Sequence, residues 1–229
     1  MRRRPPLPPP VPFSPQAARA HRAGLGLTPG QVAEGMAAHG VRLLPTHVLA
    51  WESGGLRPSE EEFIALARAL WCPPAQLMGT PPATLRDHRL ARELTADQAA
   101  RRIGVSLPTY ARAEATGHWD ADEEQSHALA HALGIPLRTL VRVTGRQEQL
   151  ERCLRQVVDG RWQAQAAAVA RMVPAPPEVL SAALADLQNG YRVPSHWGAS
   201  APAADGPPAT PLPVRFWELL GRHRFDIPV

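Results

Sequence analysis

The chain contains no lysine, so all 25 of its basic residues are arginine. With abundant Ala, Gly and Pro, this reads as the codon bias of a GC-rich bacterial genome. Cysteine is almost absent too. Cys72 and Cys153 lie far apart, and neither has a metal-ligand neighbour at a useful spacing. That excludes a disulfide framework and leaves two buried thiols in a reducing compartment as the expectation. No apolar run approaches the roughly 18 residues of a membrane span. The opening "MRRRPPLPPPVP" has charge but no apolar stretch behind it, so it does not read as a signal peptide, and a cytoplasmic location is expected. A phosphate-cradling glycine loop, HExxH and G-x-S-x-G are all missing, so nine histidines find no catalytic setting. "GHWD" (117–120) places a His near an Asp, but it reads as a loop or phosphate contact. No enzymatic activity, metal or cofactor is expected. No alternating apolar pattern marks a strand, and the fold class reads as all-α.

What the chain does have, it has twice. "ARAHRAGLGLTPGQVA" (18–33) and "LRDHRLARELTADQAA" (85–100) share an arginine, a histidine and a second arginine, then Leu-Thr, then Gln three residues on. Thr28-x-x-Gln31, with Pro29 at the helix start, and Thr95-x-x-Gln98 are capping boxes, as is Ser59-x-x-Glu62; Asp120-x-x-Glu123 is a looser version. Ser14-Pro15 caps a first helix. Stops are expected at Gly24, Gly40, Gly54-Gly55 and Gly134. Later, "FIALARALWCPPAQL" (63–77) matches "SHALAHALGIPLRTL" (126–140). Two units of five short helices follow, over 14–79 and 83–145, and the period is that of a duplicated domain.

The flanks differ in character. Residues 1–13 form an Arg/Pro-rich arm, expected to be disordered, with 1–12 polyproline-like and unpacked. Residues 146–192 should form C-terminal helices: one over 147–172, or a pair broken near Asp159-Gly160, and another near 178–188. Leu150, Leu154, Val157, Val158 and Trp162 line the first apolar face. Residues 193–213 read as a Pro/Ala/Gly linker. The closing segment 214–229 carries "VRFWELLGR", an amphipathic stretch expected to dock on its own domain or on a partner. The formal net charge is +4. Residues 1–79 hold eight arginines against five acids, and Arg2, Arg3 and Arg4 account for that surplus.

In the first unit the capped second helix leads to "PTHVLAWESG" (45–54), and in the second to "GVSLPTYARAEATG" (104–117). Together with the helix-one arginine, the Leu-Thr, the Gly-Val-Ser turn and the closing Leu-Ala-x-Ala-Leu helix, these segments resemble the phage-repressor-like helix-turn-helix family, of the XRE or Cro/repressor type. The resemblance covers roughly residues 14–145. It implies two tandem five-helix domains whose third helices lie in the major groove of double-stranded DNA. It also implies ion pairs Arg22–Glu52 and Arg89–Glu114 tying helix one to helix three. His21 and His88 read as half-exposed helix-one residues, and Trp51 as core.

The chain departs from the family at several places. Pro29 and Ala96 stand where glutamine often touches phosphate. About five extra residues fall around "AAHGVRL" (37–43), and the usual Ser/Thr cap of helix three is Leu44, whereas the second unit keeps Ser106. Candidate DNA contacts are Arg42, Thr46, His47 and Arg57 in the first unit and Ser106, Thr109 and Arg112 in the second. Only Arg112 could fork onto guanine. The expected function is a DNA-binding transcriptional regulator associated with the nucleoid. Residues 146–229 would dimerise it or contact a protein, and no membrane is expected as partner. The alternative is a protein-interaction adaptor with degenerate units.

Overall fold

A computed structural model describes residues 10–191 and 210–223. The described chain is all-α, with no strand. The helices are α1 (Pro15–Gly24), α2 (Pro29–Ala38), α3 (Pro45–Glu52) and α4 (Glu60–Ala69), then a 3-10 turn (Pro74–Leu77). They continue as α5 (Leu85–Ala91), α6 (Ala96–Ile103), α7 (Leu107–Thr116), α8 (Glu123–Leu133) and α9 (Leu137–Val143). The last four are α10 (Gln147–Asp159), α11 (Trp162–Met172), α12 (Pro177–Tyr191) and α13 (Leu212–His223).

Local chemistry sets most of the starts. Ser14 accepts from the Ala17 N–H, and Thr28/Gln31, Ser59/Glu62 and Thr95/Gln98 form reciprocal capping boxes. Thr84/Asp87 forms a further box at α5. The cap expected at Asp120 lies two residues further on. The Asp122 carboxylate accepts from the Gln125 N–H at 2.7 Å, because Asp122 immediately precedes the first helical residue, whereas Asp120 follows the buried Trp119.

The chain divides into two compact units, Met1–Gly117 and His118–Val229. The division falls between the third and fourth helices of the second repeat, not between the repeats. In the first unit, Val32, Met36, Val48, Trp51, Phe63, Leu66 and Leu77 belong to one core cluster. α2 packs on α3 and α4, and α3 also meets α1. A Cβ added at Gly35 would stand 3.1 Å from the Ala69 Cβ, so α2 and α4 cross closely there.

The arm is not unpacked up to residue 12. Val11 and Phe13 are buried, and Phe13 meets Phe63 edge-on at 6.4 Å. Two apolar residues at spacing two put both side chains on one side of an extended segment, here the core side. The Ser14 N–H closes the junction on the Leu77 carbonyl at 2.8 Å. The rest of the arm, residues 1–9, lies outside the described residues.

In the second unit α8 packs on α11, while α10 packs on α11, α12 and α13. The 147–172 stretch is a pair of helices, with Gly160 between them. α13 begins at Leu212, two residues before the expected start, and lies against α10 and α12 with Phe216, Trp217, Leu219 and Leu220 buried. The aromatic segment therefore docks within its own unit. Most of the expected linker, 193–209, lies outside the described residues. Cys72 and Cys153 are free and buried, and no described helix is long and apolar enough to cross a membrane.

Candidate nucleic-acid interface

Each repeat begins with the same polar joint. Arg22, on α1, donates from Nε and Nη2 to the two carboxylate oxygens of Glu52 at 2.6 and 2.8 Å. Its remaining nitrogen, Nη1, donates to the Leu27 carbonyl at 2.8 Å. Sixty-seven positions later Arg89, on α5, repeats the arrangement: Nε and Nη2 to Glu114 at 2.6 and 3.0 Å, and Nη1 to the Leu94 carbonyl at 2.8 Å. One guanidinium thus fixes the last turn of the third helix and the connection into the second. The planar fork suits both duties at once, which an ammonium would not. Both ion pairs named from the sequence are formed.

The second joint carries a carboxylate that sequence reasoning missed. Glu60, the first residue of α4, accepts from Arg89 Nη1 at 2.8 Å and Nη2 at 3.1 Å, and from Arg86 Nε at 2.6 Å. Arg89 is only 1 % exposed, and it holds two carboxylates where Arg22 holds one. Burial opposes the charge on Arg89, but the bonds to Glu114 and Glu60 outweigh it and raise its pKa. Burial likewise opposes ionised Glu60, and Arg89 and Arg86 more than compensate, holding its pKa below the ordinary value. Burial and the adjacent Glu114 charge push the Tyr110 hydroxyl up, so it stays neutral.

With the inner faces fixed in this way, α3 and α7 present their outer faces. On α7, Ser106, Thr109 and Arg112 are exposed and, three apart, share one side of the helix. Ser106 caps the helix by accepting from the Thr109 N–H at 3.3 Å, and the two hydroxyls lie 2.8 Å apart. Arg112 makes no side-chain hydrogen bond or ion pair among the described residues. On α3, Thr46 is exposed, but His47 is half-buried, and its Nδ1 is buried without a hydrogen-bond partner among the described residues. Arg42 is exposed in the connection between α2 and α3. Arg57 is also exposed, and its Nη1 donates to the Val11 carbonyl at 3.3 Å, so it secures the incoming chain. Leu44 begins α3 with no side-chain cap and is 64 % exposed; Leu49 is 50 % exposed. The sequence-named residues thus gather into a polar face only on α7.

A second polar cluster holds the other unit together. Arg146 is buried and donates to the carbonyls of Trp119 (3.0 Å), Ala121 (3.1 Å) and Arg171 (2.7 Å) and to Ser126 Oγ (3.0 Å). Burial lowers its pKa, because its four acceptors are all neutral. Nothing in the sequence around Arg146 marks this role, since its partners are mostly backbone atoms. Among the described residues no group of three or more His, Cys, Asp or Glu side chains could hold a metal ion. Comparison with protein families, with curated proteins and with solved structures finds no match.

Proposed function

We propose that the chain is a DNA-binding transcriptional regulator built from two tandem helix-turn-helix units, with α7 as the helix that reads bases in the major groove. The observation that carries this reading is the exposed Ser106–Thr109–Arg112 face on a helix whose opposite side is anchored by the Arg89–Glu114 pair. A rigidly held helix with a free guanidinium on its outer side has the chemistry to fork onto guanine N7 and O6, with the two hydroxyls available to phosphate or base. Selection of bound duplexes from a random pool at near-physiological salt should converge on a motif. Arg112→Ala should then weaken the selected site by about 1–3 kcal/mol, and random duplex by much less. Equal losses on both would reduce Arg112 to a phosphate contact.

The second reading, a protein-interaction adaptor, is supported by a different observation. Leu44, Leu49 and Leu56 are exposed on and beside α3, where a DNA-reading helix would carry polar side chains. Failure of any duplex to enrich, at any salt, would favour it, because phosphate contacts make nucleic-acid affinity fall steeply with salt.

A further inference from the structure

Two non-glycine residues have left-handed backbones: Trp71, with φ +47°, and Glu93, with φ +56°. Each follows a helix in the same closing motif. The Cys72 N–H reaches back to the Ala67 carbonyl and the Trp71 N–H to Arg68, and the Leu94 N–H reaches Arg89 and the Glu93 N–H Leu90. This ending favours glycine at the left-handed position, and the other repeat has it each time. Gly134 (φ +59°) closes α8 where Trp71 closes α4, and Gly26 (φ +67°) closes α1 where Glu93 closes α5. The fold therefore accepts glycine at both positions. Trp71 regains little by burial, since it is 78 % exposed. Strain kept at a position where it does not serve packing points to a use for the side chain.

Both strained residues line one groove in the first unit. It is an open cleft of about 670 Å³ bordered by Trp71, Pro73, Pro74, Arg68, Glu93 and His39. A smaller cavity of about 200 Å³ shares His39, Arg68 and Glu93 and carries the groove on toward Val41. Arg68 and Glu93 form an ion pair at 2.7 Å in its middle. The groove is elongated and open, with an exposed indole beside two prolines. That suits an extended peptide, and a polyproline helix in particular, whose rings stack on exposed aromatics and whose shape is set before binding.

We propose that the occupant is the chain's own proline-rich segment, Arg2–Pro9, docked with its proline rings on Trp71. The segment leads directly into Pro10, whose carbonyl accepts from Arg86 Nη1 at 3.5 Å in the first turn of α5. The far end of that helix, Ala91, borders the groove together with Arg92 and Glu93 just beyond it. A seven-residue helix is about 10 Å long, and eight residues of polyproline helix span roughly 25 Å, so the segment has the reach. This proposal does not rest on the DNA-binding reading.

The test uses the full chain labelled with 5-fluorotryptophan, whose Trp71 fluorine signal is assigned by its loss in Trp71→Gly. In a full-length variant with Pro5, Pro6, Pro8 and Pro9 all changed to Ala, the Trp71 signal should move. A synthetic peptide of residues 1–10 should return it to the wild-type position. With Trp71→Gly added to that four-proline variant, the same peptide should bind at least tenfold more weakly, while the melting temperature is not lowered relative to the four-proline variant. A Trp71 signal identical in both chains and unmoved by the peptide would overturn the proposal, as would a clear drop in the melting temperature when Trp71→Gly is added to the four-proline variant, where no docked segment is left to lose. A signal that depends on protein concentration would assign the segment to a second copy and overturn docking within one chain.

Discussion

The third helices of the two repeats are alike inside and unlike outside. Their inner faces carry Val48, Trp51 and Glu52 in α3, and Tyr110, Ala113 and Glu114 in α7, with the four non-acidic residues buried. The large aromatic has moved by one turn, Val48/Trp51 becoming Tyr110/Ala113. The exchange is not volume-neutral: the loss from Trp to Ala exceeds the gain from Val to Tyr, so the inner face of α7 fills less space than that of α3 and its neighbours must close in on it. The outer faces share nothing: Ser106, Thr109 and Arg112 of α7 stand at the positions of Leu44, His47 and Ala50 in α3. The joint that holds the helix is present in both repeats, while a polar outer face is present in one. Holding a helix and using it are separable tasks for the chain.

The sharpest way to break the comparison is at the joint. Arg89→Ala strands two carboxylates and should cost about 3–5 kcal/mol. Arg22→Ala strands one, at a more exposed site, and should cost about 1.5–3 kcal/mol. Urea denaturation of both variants measures the difference, and equal losses would mean that Glu60 adds nothing to the second joint.

Acid tests the same carboxylate. Because the folded pKa of Glu60 lies below its ordinary 4.5, its contribution is fully present above that value and is lost as pH falls through and below it. Glu60→Gln should therefore flatten the loss of melting temperature between about pH 5 and pH 3; an unchanged acid limb would remove Glu60 from the account. The smallest effect is expected at the missing cap. Leu44→Ser should give α3 the hydrogen bond that Ser106 gives α7 and raise stability by about 1 kcal/mol, read as a higher melting temperature.

What the sequence disclosed was what depends on near neighbours. The Thr28, Ser59 and Thr95 capping boxes are complete within four residues, so they could be read directly. Asp120 and Asp122 stand two apart, both are suitable caps, and only the helix start decides between them. The Arg22 and Arg89 pairs came from a resemblance, because a partner 30 or 25 residues away leaves no local mark. Glu60 is one of three acids in the first turn of α4, where the helix dipole is reason enough for it, so nothing local marks its further partners. Trp71 and Glu93 carry no sign of a left-handed backbone, since the usual sign is glycine. The place where the chain divides was hidden for a related reason. Periodicity reveals which helices repeat, but not which neighbours α8 and α9 pack against.

The reach of Glu60 into the second repeat bears on whether either repeat could be removed. Two repeats with no bond between them could each be cut away without harm to the other. With a carboxylate of the first repeat answering to Arg86 and Arg89 of the second, that freedom is gone. Losing the second copy leaves an acid without its partners, and losing the first leaves a buried guanidinium half matched. The bond works as a latch: the outer surface of either repeat can be altered without touching it, but neither repeat can be removed without breaking it.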